Sequence, residues 1–353
     1  MPEVFDDSRL DDEAALAGAD EVLRRLAEAG SRVRREAGEA AEAIEEAVAG
    51  AAGDSRPRAV VAAGPDSRLL RSVLEPWCPV PFVAWPGPSL PGWAGGLDLV
   101  VVLAPEGSDT GSASAVAEAV RRGCRVVVAC PPGSLVAQHA AGRDSTVLPC
   151  ASGDQLATAV VMLQVLARLD LGPATDPESV AQALDDVAIS CSPHRDLAVN
   201  PAKMLAIALA DTTPLVWGGS VLAARAARRV AESVRRASGR TALAGDAEHL
   251  LPVIAAAPAP DLFADPFDDP FDDPFDGDGE GGGDRRPALL VLDDGAEDVT
   301  IREQRGRLAD EAEAHRVRVE TVASDASSDV ARYAALLATG TYAAAYLRVG
   351  LGR

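Results

Sequence analysis

The sequence predicts an α/β protein of two tandem halves, each a parallel sheet with helices on both faces. Three observations carry this expectation. Runs of strand length are apolar throughout instead of alternating, as in strands covered on both sides. They are interleaved with segments of helical periodicity, the order that βαβ units impose. The 353 residues are about two domains' worth of chain.

Residues 1–52 read as a helical segment. Between Asp11 and Ala49 the chain is rich in Ala, Glu and Arg, and Leu16, Val22, Leu23, Leu26, Val33 and Ile44 recur at helical spacing, which predicts one or two helices. The first half, residues 53–172, carries strands at Ala59–Ala63, Phe82–Trp85, Leu97–Ala104, Arg125–Ala129 and Thr146–Leu148. A helix over Ala113–Arg122 separates the third strand from the fourth, and a long helix over Asp154–Leu169 closes the half. Gly172–Pro173 breaks the pattern, and it restarts over residues 173–353. There the periodicity predicts helices over 176–190, 199–209, Val221–Arg236 and Val299–Ala314, and strands at Pro214–Trp217, Ala288–Leu292 and Arg318–Val322. Two closing helices are expected near Asp329–Leu337 and Thr341–Val349.

Residues 258–287 stand apart, with the tetrapeptide Asp-Pro-Phe-Asp repeated three times over Asp265–Asp276. Residues 261–284 hold ten acids and no base, so they account for nearly half of the formal charge of −21. Repeated Pro and like-charge repulsion predict disorder. The segment reads as a low-complexity expansion or as a tether whose Phe263, Phe267, Phe271 and Phe275 dock in a groove. The spacing lacks the Gly turn and terminal Glu of an EF-hand calcium loop.

With 54 acids against 33 bases, nucleic-acid and membrane surfaces are excluded as expected partners, because both are anionic. No apolar run reaches the length of a membrane-spanning helix. The five cysteines, Cys78, Cys124, Cys130, Cys150 and Cys191, show no CxxC spacing, and no secretory apolar region opens the sequence. They read as buried thiols of a cytoplasmic protein.

In parallel sheets ligands bind where strand ends feed helix N-termini. The loop Pro105-Glu106-Gly107-Ser108-Asp109-Thr110-Gly111-Ser112 follows the third strand and runs into a helix. Its hydroxyls and free N–H groups suit a phosphate monoester, and they equally suit a Ser/Thr N-cap in a surface turn. Walker A is excluded for want of Gly-Lys-Ser/Thr, and Gly64-Pro65-Asp66-Ser67 is too short for a dinucleotide fingerprint.

Three stretches carry a resemblance. VVLAPEGSDTGSASAVAEAVRRGCRVVVACPPGSLVAQHA resembles the first half of a sugar isomerase (SIS) domain. NPAKMLAIALADTTPLVWGGSVLAARAARRVAE and ARYAALLATGTYAAAYLRVGLG resemble the second half and closing helices of bifunctional phosphoglucose/phosphomannose isomerases. Actinobacterial SIS-domain proteins termed TobH-like are the nearest set. The resemblance implies two SIS-type, flavodoxin-like subdomains over 53–172 and 173–353, and a cytoplasmic homodimer that needs no cofactor or metal. It implies interconversion of glucose 6-phosphate or mannose 6-phosphate with fructose 6-phosphate through a cis-enediol. The implied phosphate pocket uses Ser67, Gly107, Ser108 and Thr110, and the second half adds Gly219, Ser220 and Arg229.

At the catalytic motif the sequence departs from the family. Where the family has Asn-Glu-Asn-Ala-Lys, this chain reads Val234-Arg235-Arg236-Ala237-Ser238-Gly239, with Arg236 at the carboxylate position. A guanidinium cannot take up the C2 proton. Glu232 and Glu248 are then the candidate bases, with His249 opening the ring, and no C-terminal lysine matches the family's. His194 reads as a loop residue, His139 and His315 as solvated, and Lys203 as a packing or capping residue. A non-catalytic sugar-phosphate sensor or regulatory partner is the alternative function.

Overall fold

The computed structural model describes residues 4–51, 55–258 and 285–353, and the acidic Asp-Pro-Phe-Asp stretch lies outside them. The chain divides into two compact units. Arg24–Ile189 and Ala326–Ala335 form a five-stranded unit. The N-terminal residues up to Leu23, with Ser190–Asp325 and Leu336–Arg353, form a four-stranded one.

In chain order the structure opens with a 3₁₀ turn at Asp7–Leu10 and helices α1 (Glu13–Ala17), α2 (Asp20–Ala27), α3 (Ala29–Glu39) and α4 (Ala41–Gly50). The one or two helices expected here are thus four segments. Asp12 caps α1 by accepting the Ala15 N–H, and Gly18 ends it, whereas the breaks at Glu28 and Ala40 fall in an Ala-rich run whose local preference is uniform.

The five-stranded unit continues with β1 (Val60–Ala63), α5 (Ser67–Leu74), β2 (Phe82–Trp85), β3 (Leu99–Leu103), α6 (Thr110–Arg121), β4 (Arg125–Cys130), α7 (Leu135–His139), β5 (Ser145–Pro149), α8 (Gln155–Arg168) and α9 (Pro177–Ser190). The strands are parallel in the order β2-β1-β3-β4-β5. Val61, Val100, Val102, Val126 and Val128 meet Ala115, Val116 and Ala119 of α6 and Val136 of α7 on one face. The direction of strand addition reverses between β1 and β3, and a crevice opens there at the carboxyl end.

The four-stranded unit holds α10 (Pro201–Leu209), β6 (Thr213–Gly218), α11 (Val221–Ser238), β7 (Leu243–Ala244), α12 (Ala247–Ala255), β8 (Pro287–Asp293), α13 (Val299–Ala314), β9 (Arg318–Ala323) and most of α14 (Asp329–Gly350). Its parallel order is β7-β6-β8-β9, with a second reversal between β6 and β8. Right-handed crossovers to β7 and back past β6 put α11 and α12 on opposite faces. The packing agrees: Ala247, Leu250 and Ile254 of α12 cluster with Leu215, Trp217, Leu289 and Val291 and with Leu308 of α13. The two expected closing helices are one, α14, because Gly340 sits inside it with no room for a side chain beside Val230. Cys124, Cys130, Cys150 and Cys191 are buried as expected, but Cys78, in the turn after α5, is half-buried. Among the described residues no helix is long and apolar enough to cross a membrane.

Candidate functional site

The crevice between β1 and β3 is built by two strand-to-helix turns. After β1, Gly64 has φ +88° and its carbonyl accepts the Ser67 N–H at 3.1 Å. After β3, Gly107 has φ +66°, and Asp109 caps α6 by accepting the Ser112 N–H at 2.6 Å. The turns meet tightly: a side chain on Gly64 would lie 2.6 Å from the Ser112 Oγ. Ser67 and Ser112 are wholly buried, and among the described residues neither hydroxyl has a hydrogen-bond partner.

A buried hydroxyl without a partner costs about 1–3 kcal/mol. Two of them flank Gly64 at the first turns of α5 and α6, where N–H groups also lack intrahelical acceptors. The arrangement can accept a compact anion bearing several oxygens. Ser112 closes the Ser/Thr-rich loop as read from the sequence but was not among the expected pocket residues, and the structure places it inside the first turn of α6. Its signal is its spacing from Ala115, Val116 and Ala119, which places a hydroxyl on the buried face.

Of the expected pocket residues, Ser67 and Gly107 are buried at the crevice turns, whereas Ser108 and Thr110 are exposed. Gly107 packs against the turn after β4, where its carbonyl accepts the Val136 N–H at 3.1 Å. The site is not strongly basic. Glu106 and Asp109 lie on the loop, and the Asp66 carboxylate accepts a hydrogen bond from Gln155 at the start of α8. The loop after β5 already holds an internal anion, the buried Glu36 of α3, which accepts the Ala151 N–H at 3.0 Å and the Ser152 N–H at 2.5 Å.

The four-stranded unit has its own crevice, between β6 and β8, and it is differently charged. Ser220 caps α11 by accepting the Ala223 N–H at 3.0 Å, and its hydroxyl donates to the Asp294 carboxylate. Gly218 and Gly219 are packing glycines: a side chain on Gly219 would strike Ile301 and the Trp217 ring. Asp293 is held by Arg305 through two contacts of 2.7 Å. Burial pushes its carboxyl up, but Arg305 and the Gly295 N–H outweigh this, and its pKa lies below the ordinary value. The chain's own carboxylate thus stands beside Ser220.

The expected catalytic residues fall in this unit but on two faces of its sheet. Glu232, on α11, is clamped between Arg229 at 2.8 Å and Arg236 at 2.5 Å on the same helix. Arg229 is thereby engaged by a carboxylate. Glu248 and His249 are exposed on α12, whose packing covers the other face. Arg307, 2.6 Å away, holds the Glu248 carboxyl below its usual range and weakens it as a base. Among the described residues no group of three or more His, Cys, Asp or Glu is arranged to hold a metal ion.

His139 and His194 are exposed, and His315 pairs with Glu311 at 3.1 Å. Lys203 is wholly buried, and its ammonium donates to Asp11 at 2.6 Å and to the Pro193 and Arg195 carbonyls at 2.9 and 3.0 Å. All three of its protons are used, so it ties the N-terminal segment to the loop before α10.

Residues 198–353 match the bacterial phospho-glucose isomerase C-terminal SIS domain. No curated protein matches the sequence. The fold is similar to the tagatose-6-phosphate ketose/aldose isomerase from Escherichia coli, at 14% identity over 96% of this chain and 94% of that one, with a TM-score of 0.66. It is also similar to the C-terminal domain of glucosamine-fructose-6-phosphate aminotransferase from Francisella tularensis, at 11% identity over 91% and 96% of the two chains, with a TM-score of 0.58. A glucose-6-phosphate isomerase like protein from Thermus thermophilus shares 18% identity over 84% and 82%, with a TM-score of 0.50. At these identities the likeness is one of fold, and it bears out the expected architecture of two parallel sheets with helices.

Proposed function

We propose that this chain binds a hexose 6-phosphate, with the phosphate in the β1/β3 crevice of the five-stranded unit. The observation that carries the reading is the pair of buried hydroxyls, Ser67 and Ser112, without partners on either side of Gly64. In this reading residues 53–172 and 173–353 are two SIS subdomains of a cytoplasmic homodimer, near the TobH-like set.

The catalytic form of the proposal is isomerisation of glucose 6-phosphate or mannose 6-phosphate to fructose 6-phosphate, supported by the family match over residues 198–353. A carboxylate would take the C2 proton and return it to C1 while a histidine opens the ring. Within one four-stranded unit, Glu248 and His249 share a helix, whereas Glu232 covers the opposite sheet face. Glu232 and Glu248 are both paired with arginines. That pairing favours the second form: a sugar-phosphate sensor or regulatory partner that binds without turnover.

Calorimetry with fructose 6-phosphate tests the site. Removing a buried hydroxyl that has no partner does not destabilise the free protein, so loss of binding is separable from loss of fold. The double variant Ser67→Ala/Ser112→Ala is expected to melt no lower than wild type and to bind at least tenfold more weakly. Unchanged affinity would move the site. Deuterium exchange at C1 of fructose 6-phosphate, or at C2 of glucose 6-phosphate, then separates the two forms: exchange that Glu248→Gln abolishes establishes isomerisation, and binding without exchange establishes the sensor.

A further inference from the structure

Between Glu75 and Asp98 lie 22 residues without one charged side chain, in a chain of which 25% is charged. This stretch includes three of the four tryptophans. Trp77 is 61% and Trp85 37% exposed. The stretch contains β2, the outer strand of the five-stranded sheet, whose one neighbour is β1.

The Val60 N–H donates to the Pro81 carbonyl at 2.9 Å and the Gly64 N–H to the Trp85 carbonyl at 3.0 Å. In a parallel ladder alternate residues face the neighbour, so the N–H and C=O groups of Phe82 and Ala84 point away from β1. Among the described residues nothing bonds these outward groups. Exposed edges in soluble proteins are normally blunted by charge, proline or a bulge. β2 is short, four residues between Pro81 and Pro86, but Phe82-Val83-Ala84-Trp85 itself carries no charge, proline or bulge, and its residues are half-buried or exposed.

We propose that the β2 edge is a self-association surface, at which two copies pair antiparallel about a two-fold axis. Centred on Val83, the outward groups of Phe82 meet those of the partner's Ala84, and the reverse, giving four backbone hydrogen bonds. A two-fold contact must be complementary to itself, and an edge offering one donor and one acceptor per alternate residue satisfies this. The charge argument selects a second copy as the occupant. Two molecules of formal charge −21 repel, and a surface without charge lets them approach without bringing carboxylates together. The bounding acids are already paired, Glu75 with Arg71 at 2.8 Å and the buried Asp98 with Arg58 at 2.6 Å.

This inference rests on the homodimer reading above and adds its location. Light scattering and sedimentation equilibrium on the full chain test it. Ala84→Pro places proline where the N–H points outward, so it blocks pairing but leaves the β1 ladder intact. The double variant Trp77→Lys/Trp85→Lys charges the exposed side chains alone. Wild type is expected to be a dimer, and both variants are expected to raise the dissociation constant at least tenfold with an unchanged far-ultraviolet circular dichroism spectrum. A dimer that the Trp77→Lys/Trp85→Lys variant does not weaken overturns this surface and leaves the homodimer standing. A monomeric wild type overturns both.

Discussion

At the scale of single residues, the candidate site is decided by which oxygens stand at the two helix N-termini of the β1/β3 crevice. Asp109 is the most consequential. Its carboxylate takes the Ser112 N–H at 2.6 Å, so it satisfies one orphan donor of α6 while placing a negative charge beside any incoming phosphate. Asparagine caps helices about as well as aspartate, so Asp109→Asn removes the charge and keeps the cap. Two like charges about 5 Å apart near a protein surface repel by roughly 3 kcal/mol at an effective dielectric of 20, and salt and solvent reduce this. Asp109→Asn is therefore expected to tighten fructose 6-phosphate binding about three- to tenfold by calorimetry, with the gain shrinking as salt is added. A loss of affinity would show that the carboxylate contacts the ligand directly and would end the anion reading of this turn.

At the scale of elements, the turns position those oxygens, and Gly107 is the turn residue with least freedom. Its φ is +66°, and a side chain there would lie 2.4 Å from the Ser134 β-carbon and 3.0 Å from a Pro131 ring carbon. Gly133 also has a positive φ, +74°, but open space around it. Alanine at either position costs about 1 kcal/mol of left-handed strain. Gly107→Ala must in addition push the β3 loop off the β4 loop. Both variants are expected to lower the melting midpoint, but Gly107→Ala alone should weaken fructose 6-phosphate binding; equal effects on binding would show that the crevice does not depend on this contact. The elements themselves were legible where one local signal dominates: β2 and α13 fall on the residues their patterns predict, and the other expected strands are shifted by a residue or two. The misses have physical causes. The two-residue β7 is too short to leave a pattern, α12 carries Pro252 inside it, and α14 runs through Gly340 because its packing against Val230 outweighs the residue's weak helix preference. The crevice was legible as a Ser/Thr-rich turn. Which hydroxyls are buried was not, because that depends on how α6 is rotated against Gly64.

At the scale of the whole molecule, charge sets how stability follows pH, through two opposing effects. The excess of 54 acids over 33 bases means that the folded chain repels itself at neutral pH, and added salt is expected to raise the melting midpoint there. Against this stand carboxylates that arginines hold below their ordinary values. Arg121 and Arg122 bring Glu118 down to about 2. Arg168 lowers Glu45, Arg34 lowers Glu178, and Arg307 lowers Glu248. A depressed folded pKa contributes stability that is complete above the unfolded value and disappears as pH falls through the folded one. The window therefore opens near 4.5, the ordinary glutamate value, and closes near 2 at Glu118. Glu45, Glu178 and Glu248 are exposed and Glu118 is half-buried at the surface, so each pair contributes little and the effect is their sum. On acidification the carboxylates that no arginine holds take up protons first and relieve the repulsion, so the low-salt midpoint is expected to hold or rise as the pH approaches 4.5. Below 4.5 it should fall steadily, and salt should no longer raise it, because salt screens the pairs as well as the repulsion. Thermal melts followed by circular dichroism across this range, at low and high salt, check both limbs. A midpoint that stays level down to pH 2 would mean that the arginine pairs contribute nothing to folding, and a midpoint at neutral pH that salt leaves unmoved would mean that the acid excess is already balanced within the fold.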